Sequence, residues 1–220
     1  MSGERFLVIS PSWIGDIIMS QSFLAVIHKM HPEVAIDVYA PAFAEPVLRR
    51  MPEVENVIIN PFKHGELNLG LRMKEGRRLS ANHYSRAYVL PNTLKAALVP
   101  FFAKIPQRIG YKGESRYGLI NRMRRDSKDF SLMVERYVAL AFEGYDCGCT
   151  KILTAYDRPK LLSQALTPEQ IARFGIDFSK PVLVFGCGAN WGETKAWPAN
   201  HFATVAKAWI QKGGVAVAIG

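Results

Sequence analysis

Cysteine is scarce in this chain. Its three cysteines, Cys147, Cys149 and Cys187, cannot form a disulfide framework. Cys147-Gly148-Cys149 has a one-residue spacer and no nearby histidine, which is poor metal-ligand spacing. No apolar run approaches the roughly 18 residues that a membrane-spanning helix needs. The first apolar run, Phe6 to Ile9, is too short for a signal-peptide core, and no small-residue cleavage site follows it. Together these absences predict a reduced, cytosolic protein. Three site patterns are also missing. Without G-x-G-x-x-G a dinucleotide cofactor site is disfavoured, and without G-x-x-x-x-G-K-[ST] there is no Walker A loop. Without D-x-D, a metal held by carboxylates for a diphosphate has no visible ligands.

Apolar residues make up 49% of the 220 and charged residues 21%, a globular composition that excludes wholesale disorder. The charge is unevenly spread. Lys and Arg number 28 against 19 Asp and Glu, and 15 basic and 4 acidic side chains lie between Pro61 and Lys128. The rest of the chain is slightly acidic. A basic middle third points to an anionic partner: nucleic acid, an acidic membrane surface or a phosphorylated substrate. A solvated basic face without a ligand is the other reading. Nucleic acid is disfavoured, because no RNP-like aromatic pattern, zinc-finger spacing or helix-turn-helix is present.

Strand-like and helix-like segments alternate through the first half. Strands are expected at Arg5–Ser10, Val34–Ala40, Val57–Asn60, Arg86–Leu90 and Gln107–Tyr111. Helices are expected at Gly15–Met30, Ala42–Arg50, Glu66–Ser80, Thr93–Ala103 and Leu132–Phe142. Such alternation means βαβ units and a mostly parallel sheet, so residues 1–145 are expected to form a doubly wound α/β domain. Residues 146–180 read as a linker region with one short helix, Pro168–Phe174. A second βαβ start follows over 181–220, with strands at Pro181–Phe185 and Val215–Ile219 around a helix at Asn200–Gln211. Forty residues rarely bury enough apolar area to stand alone, so the sequence is expected to stop inside a second domain.

Two strand-to-helix loops carry the candidate chemistry. In Ser10-Pro11-Ser12-Trp13-Ile14-Gly15-Asp16, Gly15 permits close backbone approach and Asp16 falls in the first helical turn, where open α/β sheets bind ligands. Alternatively, Asp16 caps the helix and complements its dipole. In Gly186-Cys187-Gly188-Ala189-Asn190-Trp191-Gly192-Glu193-Thr194-Lys195, three glycines expose backbone N–H groups and Lys195 adds a charge suited to phosphate. Trp197-Pro198 reads as packing and punctuation. Histidines 28 and 31 read as cap or packing residues. Arg116 to Arg125, with Tyr117, Leu119 and Ile120 interleaved, could lie on an anionic surface or form a plain solvated helix.

The stretch Phe6-Leu-Val-Ile-Ser-Pro-Ser-Trp-Ile-Gly-Asp-Ile-Ile-Met-Ser-Gln-Ser22 resembles the opening of the ADP-heptose:lipopolysaccharide heptosyltransferases of the type II class, in glycosyltransferase family 9. The resemblance continues in Arg49-Arg-Met-Pro-Glu-Val54, Arg86-Ala-Tyr-Val-Leu-Pro-Asn92, Lys95-Ala-Ala-Leu-Val-Pro100, Arg116-Tyr-Gly-Leu-Ile-Asn121, Leu132-Met-Val-Glu-Arg-Tyr137, Lys195-Ala-Trp-Pro198 and His201-Phe-Ala203. It implies a GT-B fold: an acceptor-binding Rossmann-like domain, then the opening of a nucleotide-sugar-binding one. It also implies an inverting transfer without metal or cofactor, from an ADP-heptose donor to a phosphorylated lipopolysaccharide inner-core acceptor. Asp16 would be the base. Lys195, Gly188 and Asn190 would hold the donor phosphates, and Ser12, Trp13, Gly15, Asn92, Lys95 and Arg116 the acceptor. The family's proline, glutamate and arginine in the second loop are here Cys187, Asn190 and Ala196. Peripheral contact with the anionic inner membrane would accompany a glycolipid acceptor. The alternative from another class is an inactive truncated fragment that only binds anionic glycolipid, and this chain alone is expected to be inactive or nearly so.

Overall fold

A computed structural model describes residues 3–63, 65–125, 127–142, 156–188 and 196–219. They form two units, Met1–Ser163 and Gln164–Gly220. The first is built on six strands: β1 (Arg5–Ile9), β2 (Ala35–Ala40), β3 (Asn56–Ile59), β4 (Arg86–Val89), β5 (Gln107–Tyr111) and β6 (Arg122–Arg124). All pair in parallel, in the order β3-β2-β1-β4-β5-β6. The expected doubly wound α/β sheet is therefore the observed one.

The central strand shows why the sequence folds this way. In β1, Phe6 and Val8 enter one core cluster, and Leu7 and Ile9 enter the other. A strand covered on both faces needs apolar side chains at every position, which is what the Phe6–Ile9 run supplies. One face carries α1 (Ile14–Met30) packed on α5 (Met133–Ala139), and the other carries α3 (Leu69–Leu79) packed on α4 (Leu94–Phe102). A short α2 (Glu45–Leu48), entered through a 3-10 turn at Ala42–Ala44, joins β2 to β3. Gly76 makes the α3–α4 crossing close: a Cβ there would lie 2.4 Å from Phe102 Cβ and 2.8 Å from the Val99 carbonyl oxygen.

Residues 157–162 belong with the first unit. The amide of Gln21 on α1 donates to the Lys160 carbonyl (2.9 Å) and accepts from the Lys160 N–H (2.9 Å), while Ser22 Oγ donates to the Asp157 carbonyl (2.7 Å). These bonds account for the burial of Gln21 and Ser22 in the middle of a helix.

The Arg116–Arg125 segment departs from expectation. It is not a helix, and Tyr117, Gly118, Asn121, Arg122 and Arg125 are exposed. It forms a loop leading into β6, with Arg116 0% and Arg124 2% exposed. Their guanidinium groups serve as internal donors. Arg124 Nη1 donates to the carbonyls of Ala139 (2.9 Å) and Phe142 (3.0 Å), and Arg116 braces the loop after β4.

In the second unit, β7 (Val182–Gly186) pairs in parallel with β8 (Val215–Ile219), connected through α7 (Ala199–Gln211). A seven-residue helix, α6 (Pro168–Phe174), precedes them. Its capping box joins Thr167 and Gln170, and Gly175 at φ 60° ends it, the left-handed conformation that glycine adopts without strain.

Candidate functional site

Strand order reverses between β1 and β4, so the chains leaving their carboxyl ends diverge and open a crevice. A cleft of about 1120 Å³ lies there, within the first unit. Its walls come from the loops after β1 to β4 and from α5; they include Ser12, Trp13, Asn60, Asn92, Lys95 and Tyr137. Among the described residues, no three or more His, Cys, Asp or Glu side chains converge to hold a metal, and no helix is long and apolar enough to cross a membrane.

Asp16 lines this cleft. It sits in the first turn of α1, whose N-cap is Trp13 and which has no side-chain capping bond. The capping alternative thus has no hydrogen bond behind it. The carboxylate does gain from the helix's positive end. Its Oδ1 accepts a hydrogen bond from the Tyr137 hydroxyl at 3.1 Å. Burial, and then the neighbouring Asp16 charge, push the Tyr137 phenol well above its ordinary value, so this hydroxyl remains a donor. A Cβ at Gly15 would meet nothing within 4 Å; the chain's own packing does not require glycine there.

The other expected residues divide. Ser12, Trp13, Asn92 and Lys95 line the cleft; Gly15 is exposed beside it. Arg116 does not line it. Its Nη1 donates to the Pro91 carbonyl (2.6 Å), its Nε to the Tyr111 carbonyl (3.0 Å) and its Nη2 to Asn92 Oδ1 (3.2 Å). It therefore shapes the Asn92 loop from behind instead of meeting a ligand. Burial lowers the guanidinium to about 10, with the Glu114 charge opposing. Arg72 is similarly engaged. Buried at 6% exposure, it donates to the Lys95 (2.9 Å) and Glu66 (3.0 Å) carbonyls and lies 3.9 Å from the Phe62 ring centroid. Arg78 pairs with Glu75 at 2.7 Å, while Lys74 and Arg77 are exposed.

The lining residues that the sequence reading of the site missed include Lys63, Arg136 and Tyr137. Lys63 follows β3, where the carboxyl-end rule could have found it. Arg136 and Tyr137 lie in the Leu132–Tyr137 motif, but the approach of Tyr137 to Asp16 across 121 residues has no local signal.

In the second unit Gly188 is exposed just beyond β7, and the Cys187 N–H donates to the Ile219 carbonyl (3.0 Å). Asn190, Lys195, Cys147 and Cys149 lie outside the described residues. Trp197 stacks on His201 (centroids 5.4 Å apart) and meets Phe202 edge-on (4.7 Å), and Pro198 is the N-cap of α7. Packing and punctuation describe both residues.

The profile of glycosyltransferase family 9 (heptosyltransferase) matches residues 72–220. Lipopolysaccharide heptosyltransferase 2 of Escherichia coli is 44% identical over 98% of this chain and 63% of its own length. Lipooligosaccharide heptosyltransferase 2 of Haemophilus influenzae is 42% identical over 95% and 61%. The chain thus spans less than two thirds of these curated relatives. The solved structure of the E. coli ADP-heptose lps heptosyltransferase II superposes with a TM-score of 0.86 at 40% identity, covering 98% of this chain and 64% of that one. E. coli heptosyltransferase WaaC with ADP-2-deoxy-2-fluoro heptose, at 18% identity, TM-score 0.65 and coverage of 98% and 69%, shares the fold. With a family profile over more than half of its residues, the chain belongs to glycosyltransferase family 9, the heptosyltransferases.

Proposed function

We propose that this chain serves heptosyl transfer from ADP-heptose to the inner-core heptose of lipopolysaccharide, in lipopolysaccharide core synthesis. The observation that carries the reading is Asp16: a carboxylate without a capping bond, on the wall of the switch-point cleft. In the proposed step the acceptor hydroxyl attacks the donor's anomeric carbon and gives its proton to Asp16. The bond from that carbon to the diphosphate oxygen breaks, and its electron pair leaves with ADP. A single displacement of this kind inverts the anomeric centre and requires no metal or cofactor. Lys195 and backbone N–H groups at Gly188 and Asn190 would stabilise the leaving diphosphate. Ser12, Trp13, Gly15, Asn92 and Lys95 would receive the acceptor. Lys63, Lys95 and Arg136 on the cleft wall suit its carboxylates and phosphates. The protein would act in the cytoplasm, touching the anionic inner membrane from that side.

A second reading is glycolipid binding without transfer. The cleft, Asp16 and these cations all lie in the first unit, so acceptor capture does not depend on the second loop. Incubation with ADP-heptose and inner-core acceptor, followed by mass spectrometry, separates the two. A gain of one heptose on the acceptor is expected with the full-length protein. Saturable acceptor binding with no mass gain would favour the second reading.

A further inference from the structure

We infer that Tyr137 is a positioning residue for Asp16, holding one carboxylate oxygen so that the other is presented to the acceptor hydroxyl. This rests on the proposed role of Asp16 as base. An aspartate carboxylate turns about a broad, roughly two-fold terminal torsion, so nothing intrinsic to the side chain aims its basic lone pair. Here Oδ1 accepts from the Tyr137 hydroxyl at 3.1 Å, and Oδ2 has no hydrogen-bond partner among the described residues.

The donor is itself anchored. Tyr137 is 7% exposed and packs in the same core cluster as Ile17, one residue along α1 from Asp16. Its neighbour Arg136 is tied at two points. The Arg136 Nε donates to the Phe130 carbonyl (3.1 Å), and the Tyr111 hydroxyl donates to the Arg136 carbonyl (2.8 Å). The α5 backbone is thereby fixed to β5 and to the loop before it, and α5 packs on α1. A rigid hydroxyl therefore meets a carboxylate that otherwise turns freely. Because the phenol keeps its proton, it orients the base without competing for the acceptor's proton.

Tyr137→Phe removes only the hydroxyl and keeps the ring in the core. A hydrogen bond to a charged group corresponds to about 10- to 150-fold in a rate. The expected result, in the full-length protein, is a kcat lower by that range with KM for ADP-heptose and acceptor unchanged. On an Asp16→Asn background the same substitution should cost nothing further, because the base it orients is gone. An unchanged kcat, an equal loss on both backgrounds, or a loss confined to KM would overturn the inference. A crystal structure of Tyr137→Phe tests the same point independently of turnover. The Asp16 carboxylate should be rotated or spread over orientations, with α1 and α5 unmoved; a carboxylate in its original place would overturn the inference. Absence of transfer by the unmodified protein would sink only the functional reading, since the crystal structure still decides on Tyr137.

Discussion

Arg116, fully buried, donates from Nη2 to Oδ1 of Asn92 at 3.2 Å and so fixes an exposed cleft residue from inside the protein. The same guanidinium reaches the Pro91 and Tyr111 carbonyls. Gly113 also packs closely on Asn92, where an added Cβ would lie 2.1 Å from the Asn92 carbonyl oxygen. The loop that offers Asn92 to the cleft is therefore held by an arginine and a glycine that do not line it.

Arg116→Ala should therefore be strongly destabilising. Each buried carbonyl left without a donor costs about 1–3 kcal/mol, and two or more lose theirs. A loss of about 3–5 kcal/mol is expected from urea unfolding. A variant as stable as the wild type would mean that water or a rearranged loop replaces the guanidinium at no cost.

At Gly76 two effects oppose each other. Alanine is preferred to glycine inside a helix by about 1 kcal/mol, but here its methyl group would meet Val99 O at 2.8 Å and Ala103 N at 2.9 Å. Backbone atoms of a packed helix cannot step aside, and overpacking costs about 1–3 kcal/mol. Gly76→Ala should be net destabilising. Gly70→Ala, in the same helix with nothing within 4 Å of its Cβ, should be neutral or slightly stabilising. Equal unfolding midpoints for the two variants would contradict the close α3–α4 crossing.

High pH should unfold the protein through its buried tyrosines. Burial first, then neighbouring carboxylates, raise Tyr39, Tyr84 and Tyr137 above the ordinary value of 10.0. Tyr84 donates to Asp37 Oδ2 at 2.6 Å, beside the Arg5–Asp37 pair. A folded-state value above the unfolded one means that the folded chain holds the proton more tightly. The stabilisation is full below about pH 10 and is lost as pH rises through the elevated values. Each tyrosine contributes a slope of up to about 1.4 kcal/mol per pH unit. Urea unfolding across this range should show a steep fall, made shallower by one proton in Tyr84→Phe. A flat profile would contradict the buried hydroxyl network.

Much of the sheet was legible because burial on both faces leaves a plain mark. The Phe6–Ile9 run and its counterparts in β2 and β4 admit few alternatives to central parallel strands. β6 left no such mark: Arg-Met-Arg at residues 122–124 is no strand signature, and it pairs only because β5 offers an edge. Within the basic segment, the internal roles of Arg116 and Arg124 were hidden for a related reason. Charge is counted locally, whereas the carbonyls that bury Arg116 and Arg124 come from residues up to 25 positions away. The first loop was legible from its place after a strand, and Asp16 with it. Tyr137 was not, since 121 residues separate it from its partner.

The most direct test of the proposed chemistry is the turnover of Asp16→Asn, in the full-length protein, with ADP-heptose and inner-core acceptor. Asparagine is nearly isosteric, and its Oδ1 can still accept from the Tyr137 hydroxyl, so the fold and the unfolding midpoint should be kept. Loss of a general base costs about 10²- to 10⁴-fold, and kcat should fall within that range while acceptor binding persists. An Asp16→Asn variant that turns over like the wild type would remove Asp16 from the chemistry and return it to the role of a charge at a helix end.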